Sequence, residues 1–123
     1  MAVDYAVLLP GDEDGWAAAD PEERKAVYGL HEEFMKLLVE RGHQIIGGAE
    51  LAHSREAKLV RGRRGAVTVT DGPYAESVEQ LTGFYLVRTD DLTDLLDLCG
   101  VIAGDDVIEV RRVVPDPTNG DGQ

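Results

Sequence analysis

The stretch TVTDGPYAESVEQLTGFYLV, residues 68 to 87, contains two strand patterns with a break between them, and the fold prediction starts from this break. It begins as a strand, stops at Asp71 and resumes as a second strand after a polar passage. Gly72 allows backbone conformations that are closed to other residues, and Pro73 cannot donate a hydrogen bond to a sheet. The chain is therefore predicted to leave the sheet here and to form a loop at a strand end, which is where ligand contacts tend to concentrate.

On both sides of this loop the sequence alternates between strand and helix patterns. One helix is predicted to begin after Asp20 and to end at Gly42, and a second to begin after Asp91 and to end at Gly104. The acidic residues after Pro10 are predicted to form a loop. Strand patterns cover residues 3–9, 43–51, 56–61, 66–71, 81–88 and 107–114. This order predicts an α+β sandwich in which two helices cover one face of an antiparallel sheet.

The predicted strands carry apolar side chains on both faces. The first strand is an example, with Tyr5 and Val7 on one face and Ala6 and Leu8 on the other. Because the helices cover only one face of the sheet, the second face also needs burial. We expect a homodimer that pairs sheet to sheet, while a monomer with scattered apolar side chains on its surface stays open as the alternative.

The charge of the chain limits the partners it can take. Its 123 residues include 12 Lys plus Arg against 24 Asp plus Glu, which gives a formal net charge of −12. Such a charge repels nucleic-acid phosphates and anionic membrane surfaces, so neither is expected as a partner. The basic run RGRRG, residues 61–65, is predicted to be a solvent-exposed hairpin tip. Length and composition predict one domain over residues 1–114 and a flexible acidic tail over residues 115–123.

Cysteine use and the N-terminus bear on the compartment. Cys99 is the only cysteine, so no intramolecular disulfide can form and a reducing interior suits the chain. Residues 1–15 lack the basic flank and the apolar run of a signal peptide. No apolar segment approaches the roughly 20 residues that a membrane span needs. We therefore predict a cytoplasmic protein without a membrane contact, in which Cys99 is an inert core thiol.

Three segments resemble the YCII-related superfamily, and specifically its DGPF branch: LLPGDEDGWAAADPEERKAVYGLHEEFMKLL, VTDGPYAESVEQLTGFYLV and IEVRRV. The resemblance runs in order over residues 3 to 114. Members of the branch usually have phenylalanine where Tyr74 stands and lysine where Val78 stands. The resemblance implies a ferredoxin-like α+β fold of the dimeric α+β barrel type, which agrees with the pattern of elements.

The resemblance also implies where to look for activity. In the wider superfamily, a histidine of the first helix and an aspartate have been proposed as an active-site pair, and a few members act on small ring compounds by dehydrohalogenation-type or related chemistry. The matching positions are His31 in YGLHEEF and Asp71 in TDGPY. Some DGPF members accompany or are fused to extracytoplasmic-function sigma factors, which implies a regulatory role as the alternative.

The residue types at these positions suit acid–base chemistry. His31 lies at the edge of the apolar face of its helix, where an imidazole can be partly desolvated and still reach a pocket. Asp71 is a candidate partner that would orient this imidazole. Two structural interpretations stay open: a packed histidine bonded to a backbone carbonyl, and an aspartate that forms an Asx turn.

Other residues are predicted to contact the substrate: Tyr5, Gly72, Pro73, Tyr74 and Glu76. Tyr85, on a strand, either lines a pocket or packs with its hydroxyl satisfied. The three histidines lack zinc-ligand spacing, and no glycine-rich dinucleotide motif is present, so neither a metal nor a cofactor is expected.

Two functions are consistent with these patterns. In the first, His31 and Asp71 act as a general acid–base pair on a small cyclic or carbonyl compound, in a cleft between the first helix and the DGPY loop. In the second, the chain is a non-catalytic dimeric module that senses a small ligand or contacts a sigma factor.

Overall fold

The computed structural model describes residues 1–75, 77 and 79–116. The predicted substrate contact Glu76 and most of the predicted tail over residues 115–123 lie outside the described residues. Within them the strands are β1 (Val3–Asp12), β2 (Gln44–Glu50), β3 (Lys58–Arg63), β4 (Ala66–Asp71), β5 (Glu79–Thr89) and β6 (Glu109–Arg112). The α-helices are α1 (Glu13–Ala18), α2 (Pro21–Glu40), α3 (Leu92–Leu98) and α4 (Gly100–Ala103), and a short 3-10 turn covers Ser54–Glu56.

The strands form a main sheet and a separate hairpin. The four-stranded main sheet has the order β2-β5-β1-β6, and all its neighbours are antiparallel. The strands β3 and β4 pair only with each other among the described strands. Without this hairpin, and with α1–α2 and α3–α4 each counted as one helical segment, the order is strand, helix, strand, strand, helix, strand, which is the ferredoxin-like arrangement. The predicted ferredoxin-like α+β fold is confirmed, while the dimeric barrel arrangement stays a prediction.

The core lies between the main sheet and the helices. Val7 is opposite Tyr85 and Tyr5 is opposite Val87, so these four side chains share the face that the helices cover. The buried apolar residues are Val7, Phe34, Leu38, Val87, Leu95, Leu98 and Cys99. Burial raises the pKa of the Cys99 thiol to about 11, which fits the predicted inert core position.

The long helix α2 begins where its sequence predicts. The Asp20 carboxylate accepts a hydrogen bond from the Glu23 backbone N–H at 2.8 Å, and the Glu23 side chain accepts one from the Asp20 N–H at 3.2 Å. This reciprocal capping box satisfies two N–H groups that the helix leaves without an internal partner. The helix ends at Glu40, two residues before Gly42, in agreement with the predicted stop.

The segment after Pro10 differs from the prediction of an acidic loop. The strand β1 continues through Pro10 to Asp12, and α1 then begins at once, with the Asp12 carboxylate accepting from the Gly15 N–H at 3.1 Å. Proline is tolerated here because β1 pairs with β6 only from Tyr5 to Leu8, and the register with β5 shifts between Leu9 and Pro10. The acidic residues therefore form the N-cap and the first turn of a short helix.

A polar cluster around the buried His43 and Thr89 joins the two helical segments to the sheet. The Nε2 atom of His43 lies 2.7 Å from a carboxylate oxygen of Asp94, and its Nδ1 atom lies 2.7 Å from the Thr89 hydroxyl. Arg41 donates to both carboxylate oxygens of Asp94, with its shortest contact at 2.7 Å. The cluster thus joins the end of α2 and the start of β2 to α3 and the end of β5.

Two apolar surfaces remain uncovered in the single chain. On the far face of the main sheet Ala6, Leu8 and Leu86 are only partly buried. On one face of the hairpin, Val60 is 63%, Val67 50% and Val69 55% exposed. Among the described helices, none is both long and apolar enough to cross a membrane.

Candidate functional site

A cavity of about 930 Å³ opens between α2 and the main sheet. Its walls come from the end of β1, from α1 and α2, from the end of β2 and from the middle of β5. The apolar part of the lining includes Leu9, Val27, Met35, Ile102 and Ile108, and the aromatic part includes Trp16, Tyr28 and Tyr85. The volume lies within the range of sites that hold small organic ligands.

His31 reaches this cavity from α2 and contacts the sheet. Its Nδ1 atom lies 2.6 Å from the hydroxyl oxygen of Tyr85 on β5, and the two rings stack with their centroids 5.8 Å apart. Tyr85 also packs against the buried ring of Phe34, at 5.2 Å between centroids. The position of the imidazole is therefore fixed by one hydrogen bond and by ring contacts, and no described residue hydrogen-bonds to its Nε2 atom.

Burial sets the protonation of this pair. The His31 side chain is half-buried, and this burial lowers the pKa of the imidazole, while the charge of Glu50 acts in the opposite direction. Burial also raises the pKa of Tyr85, so the phenol keeps its proton at neutral pH. A neutral imidazole that carries its hydrogen on Nδ1 can accept a proton at Nε2, and the imidazolium that forms can give this proton back.

Glu50 is the carboxylate that acts on His31. It ends β2, and both its oxygens lie near the Tyr28 hydroxyl, at 3.1 and 3.2 Å. Burial first, and then the hydrogen bond to Glu50, raise the pKa of Tyr28. Tyr28 precedes His31 by three residues, so both side chains project from the same side of α2 toward the end of β2.

The helix α1 closes one side of the cavity and is fastened to α2. The Trp16 ring meets the Tyr28 ring edge-on at 5.4 Å between centroids. Arg24 lies with its guanidinium carbon 5.7 Å from the centre of the Trp16 ring. It also donates to the backbone carbonyl of Trp16 at 3.2 Å and to that of Ala17 at 2.7 Å. These bonds satisfy carbonyls at the end of α1 and hold this wall in place.

The predicted pair of His31 and Asp71 is not formed between these two described residues. The Asp71 carboxylate lies 2.6 Å from the Lys58 ammonium at the base of the hairpin, and the pair is exposed. The hydrogen bond and charge of Lys58 lower the pKa of Asp71. His31 has Tyr85 as its partner instead, and Asp71 is not among the described lining residues of the cavity. The physical reason is that β4 belongs to the separate hairpin and not to the main sheet.

The other predicted substrate contacts lie elsewhere. Tyr5 packs against the core cluster, and Tyr74 is 87% exposed. The Gly72 N–H donates to the Ala57 carbonyl at 2.8 Å, and a Cβ on Gly72 would lie 2.8 Å from the Ala57 Cβ, so glycine is needed for this close approach. Pro73 lines a second, shallower hollow, and Glu76 lies outside the described residues.

The second hollow shares Glu13 and His53 with the cavity wall. Glu13 is buried, and its carboxylate accepts from both the backbone N–H and the hydroxyl of Ser54. His53 accepts from the Arg55 N–H at Nδ1, at 3.0 Å, and its Nε2 lies 2.6 Å from an Asp14 oxygen. These bonds fasten the start of α1 to the 3-10 turn. Among the described residues, no three His, Cys, Asp or Glu side chains meet in a way that could hold a metal ion.

Sequence patterns missed Glu50, Tyr28 and Trp16. Glu50 is the last acid of a predicted strand, one residue before its end, and Asp71 ends another, so nothing local distinguishes the two acids. The spacing of Tyr28 and His31 is a helical signal that could have grouped them. Trp16 lies in the segment predicted as a loop, so its place on a cavity wall could not be inferred.

Fold and cavity together define the class: a ferredoxin-like α+β protein with a ligand-sized cavity and a histidine on its wall. The family model for the YCII-related domain matches residues 3–115. The chain is also similar to an uncharacterized protein of Rhizobium meliloti (strain 1021), with 37% identity over 93 residues that cover 76% of this chain and 74% of the relative. The chain belongs to the YCII-related family, as its sequence predicts, while its place in the DGPF branch stays a prediction.

Proposed function

We propose that this protein is an enzyme that moves a proton on a small cyclic or carbonyl compound, with His31 as the general acid–base group. The observation that carries the proposal is the 2.6 Å contact between His31 Nδ1 and the Tyr85 hydroxyl on the wall of the cavity. A half-buried imidazole with a lowered pKa is largely neutral at neutral pH, and a general base must be neutral to act.

The chemistry follows from the hydrogen bond at Nδ1 of His31. With the proton on Nδ1, the imidazole donates to the Tyr85 oxygen, and the lone pair on Nε2 can take a proton from a carbon next to a carbonyl group. The imidazolium that forms then returns the proton from Nε2 to the substrate, which regenerates the neutral imidazole. Tyr85 therefore acts as a positioning residue in both steps, and Glu50 favours the charged imidazole that forms between them.

Proton exchange in deuterated water tests this function without knowledge of the natural reaction. Purified protein is incubated with cyclohexanone, cyclopentanone and butyrolactone, and the loss of the hydrogens next to the carbonyl is followed by proton NMR. We expect exchange above the buffer rate, reduced by about 100-fold or more in His31→Gln. The thermal midpoint of His31→Gln should stay close to that of the wild type.

Two outcomes would count against the proposal. Exchange that is unchanged in His31→Gln would remove the catalytic role of this residue. A variant that loses exchange and folding together, while Glu33→Gln on the exposed side of α2 loses neither, would identify His31 as a structural histidine.

The second candidate is binding without turnover, as expected of a ligand-sensing module. It is favoured by the size of the cavity and by the absence of a second hydrogen-bonded acid–base partner on His31 among the described residues. Ligand binding with no exchange on any carbonyl probe would support it. An association with a sigma factor remains a proposal for this second candidate, and copurification with the host sigma factors tests it.

We further propose a homodimer, on the basis of the uncovered apolar surfaces. Ala6, Leu8 and Leu86 on the far face of the sheet, and the exposed valines of the hairpin, need a partner of similar character. Light scattering after size exclusion should give twice the mass of the chain. Leu8→Glu should give the single-chain mass, whereas a wild-type protein at 13.4 kDa would reject the dimer.

A further inference from the structure

The charged groups around the cavity are of one sign. Its described lining residues include six carboxylates and no lysine or arginine. The six are Asp12, Glu13, Glu23, Glu32, Glu50 and Asp106. Arg24, which contacts the Trp16 wall, is engaged with two backbone carbonyls of α1 and lies outside the lining. An anionic ligand would therefore enter against a net negative field, which the charge of Arg24 only partly offsets.

Three of these carboxylates form hydrogen bonds that stabilise local structure. Asp12 caps α1, Glu13 takes both donors of Ser54, and Glu23 closes the capping box of α2. Glu50 differs from them, because its described hydrogen-bond donor is the neutral hydroxyl of Tyr28. No described lysine, arginine or histidine forms a salt bridge with it.

Glu50 lacks the described cationic partner that three other carboxylates have. Asp4, Asp71 and Asp94 each lie within 3 Å of a basic side chain, at 2.7, 2.6 and 2.7 Å. A single hydroxyl hydrogen cannot satisfy both oxygens of Glu50, so one oxygen keeps acceptor capacity. The negative charge of Glu50 also acts on His31, because it raises the pKa of the imidazole against the effect of burial.

The aromatic walls favour the same kind of ligand. The Tyr28 hydroxyl lies beside Glu50, and aromatic faces attract cations through the negative potential above the ring. The Trp16 ring, which meets Tyr28 edge-on, already has the Arg24 guanidinium over it at 5.7 Å, so Tyr28 is the ring that remains for a ligand cation. A ring compound can be buried against Val27 and Met35, while a positively charged group on that ring reaches the carboxylate.

We propose that the cavity selects a small ring compound that carries a protonated amine, and that Glu50 is the residue that receives this cation. The proposal rests on the proposed function for the location of the site and goes beyond it in naming the substrate class. Compounds with a carboxylate or phosphate in place of the amine are rejected by the same field.

Three ring compounds of nearly equal shape test the selection: benzylamine, benzyl alcohol and benzoate. Each is titrated into the full chain at neutral pH, and binding is followed by nitrogen–proton correlation spectra. We expect benzylamine to bind at least about tenfold more tightly than benzoate, with benzyl alcohol between them. The shifted resonances should include those of Tyr28, His31 and Glu50.

Glu50→Gln removes the charge and keeps an acceptor for the Tyr28 hydroxyl. In this variant the preference for benzylamine over benzoate should fall by about tenfold, while the affinity for benzyl alcohol stays the same. Glu33→Gln is the matched control, because it removes one charge from an exposed position of α2 outside the cavity lining, and its preference should equal that of the wild type.

Equal affinities for benzylamine and benzoate would overturn the proposal, as would a preference that Glu50→Gln leaves unchanged or binding of none of the three compounds. These outcomes are distinct from failure of the proposed enzyme activity. A preference for benzylamine without proton exchange on any carbonyl probe would support cation selection by Glu50 and contradict the proposed enzyme activity. Exchange that is faster on an anionic carbonyl compound than on its amine counterpart would support the proposed enzyme activity and contradict cation selection by Glu50.

Discussion

The Nδ1 atom of His31 and the hydroxyl oxygen of Tyr85 lie 2.6 Å apart, although 54 residues separate them in sequence. The contact joins the middle of α2 to the middle of β5, so it exists only when the helix has packed on the sheet. Since Phe34, one helical turn further on, is fully buried against the same tyrosine ring, the core of the protein holds the hydroxyl in position. The candidate catalytic group is thus oriented by the same packing that stabilises the fold.

Tyr85→Phe should keep the fold and weaken the proposed catalysis. The phenyl ring preserves the contact with Phe34, but the imidazole loses its partner at Nδ1, and a misplaced base can lower a rate by about 100-fold. One lost hydrogen bond should reduce the free energy of unfolding by about 1 kcal/mol. Exchange rates and thermal unfolding measure the two effects. Tyr5→Phe is the matched control, because Tyr5 packs on the core outside the cavity lining, and equal losses in both variants would contradict the role of Tyr85.

Glu50→Gln should lower the pKa of His31 further. In the wild type, burial lowers this pKa and the Glu50 charge raises it, so removal of the charge leaves the larger effect unopposed. Because the pKa in the folded state lies below the unfolded value, the neutral form contributes stability above about pH 6.5, and this is lost as the pH falls through the folded pKa. Proton NMR of the imidazole ring gives the titration midpoint, and an upward shift in the variant would contradict the assigned effect of Glu50.

The order of elements can be predicted because each helix carries its own start signal. Asp20 and Glu23 form the capping box of α2, and the Asp91 carboxylate accepts from the Asp94 N–H at the start of α3. These bonds act within four residues of chain, so the sequence contains everything that specifies them. The short helix α1 could not be predicted, because Pro10 and the acidic residues after it are as typical of a loop as of a helix start.

The partner of His31 could not be predicted, because the order of strands depends on contacts between distant segments. β2 and β5 are neighbours in the main sheet, with Gly48 opposite Tyr85, which places Glu50 and His31 around one cavity. Gly48 is itself required here, since its φ is +150° and a Cβ would lie 2.7 Å from the Phe84 carbonyl oxygen. The strand that ends at Asp71 pairs outside this sheet. No periodicity in the sequence distinguishes a strand of the main sheet, such as β2, from a strand of the hairpin, such as β4.

Asp71→Asn should leave proton exchange within about twofold of the wild-type rate. Its carboxylate contacts Lys58 at an exposed end of the hairpin, where ion pairs contribute little and are weakened by salt. The thermal midpoint should therefore change little as well. Asp4→Asn, which removes the carboxylate of another strand pair from Arg88, is a suitable comparison. A large loss of exchange in Asp71→Asn alone would restore the aspartate predicted from the sequence to the active site.

His43→Leu should destabilise the protein without affecting exchange, because His43 is buried outside the cavity lining and bridges Thr89 and Asp94. Loss of both bonds should reduce the free energy of unfolding by about 1–3 kcal/mol, whereas Glu40→Gln, in an exposed pair with Lys36, should change it by less than about 0.5 kcal/mol.

Hydrogen bonds from Arg41 and then from His43 lower the pKa of Asp94 to about 2. A carboxylate with a depressed folded pKa stabilises the protein above its unfolded pKa and loses this effect as the pH falls toward the folded value. The variant should therefore lose stability at a higher pH during acid titration, and an unchanged acid transition would show that Arg41 alone sets the ionisation of Asp94.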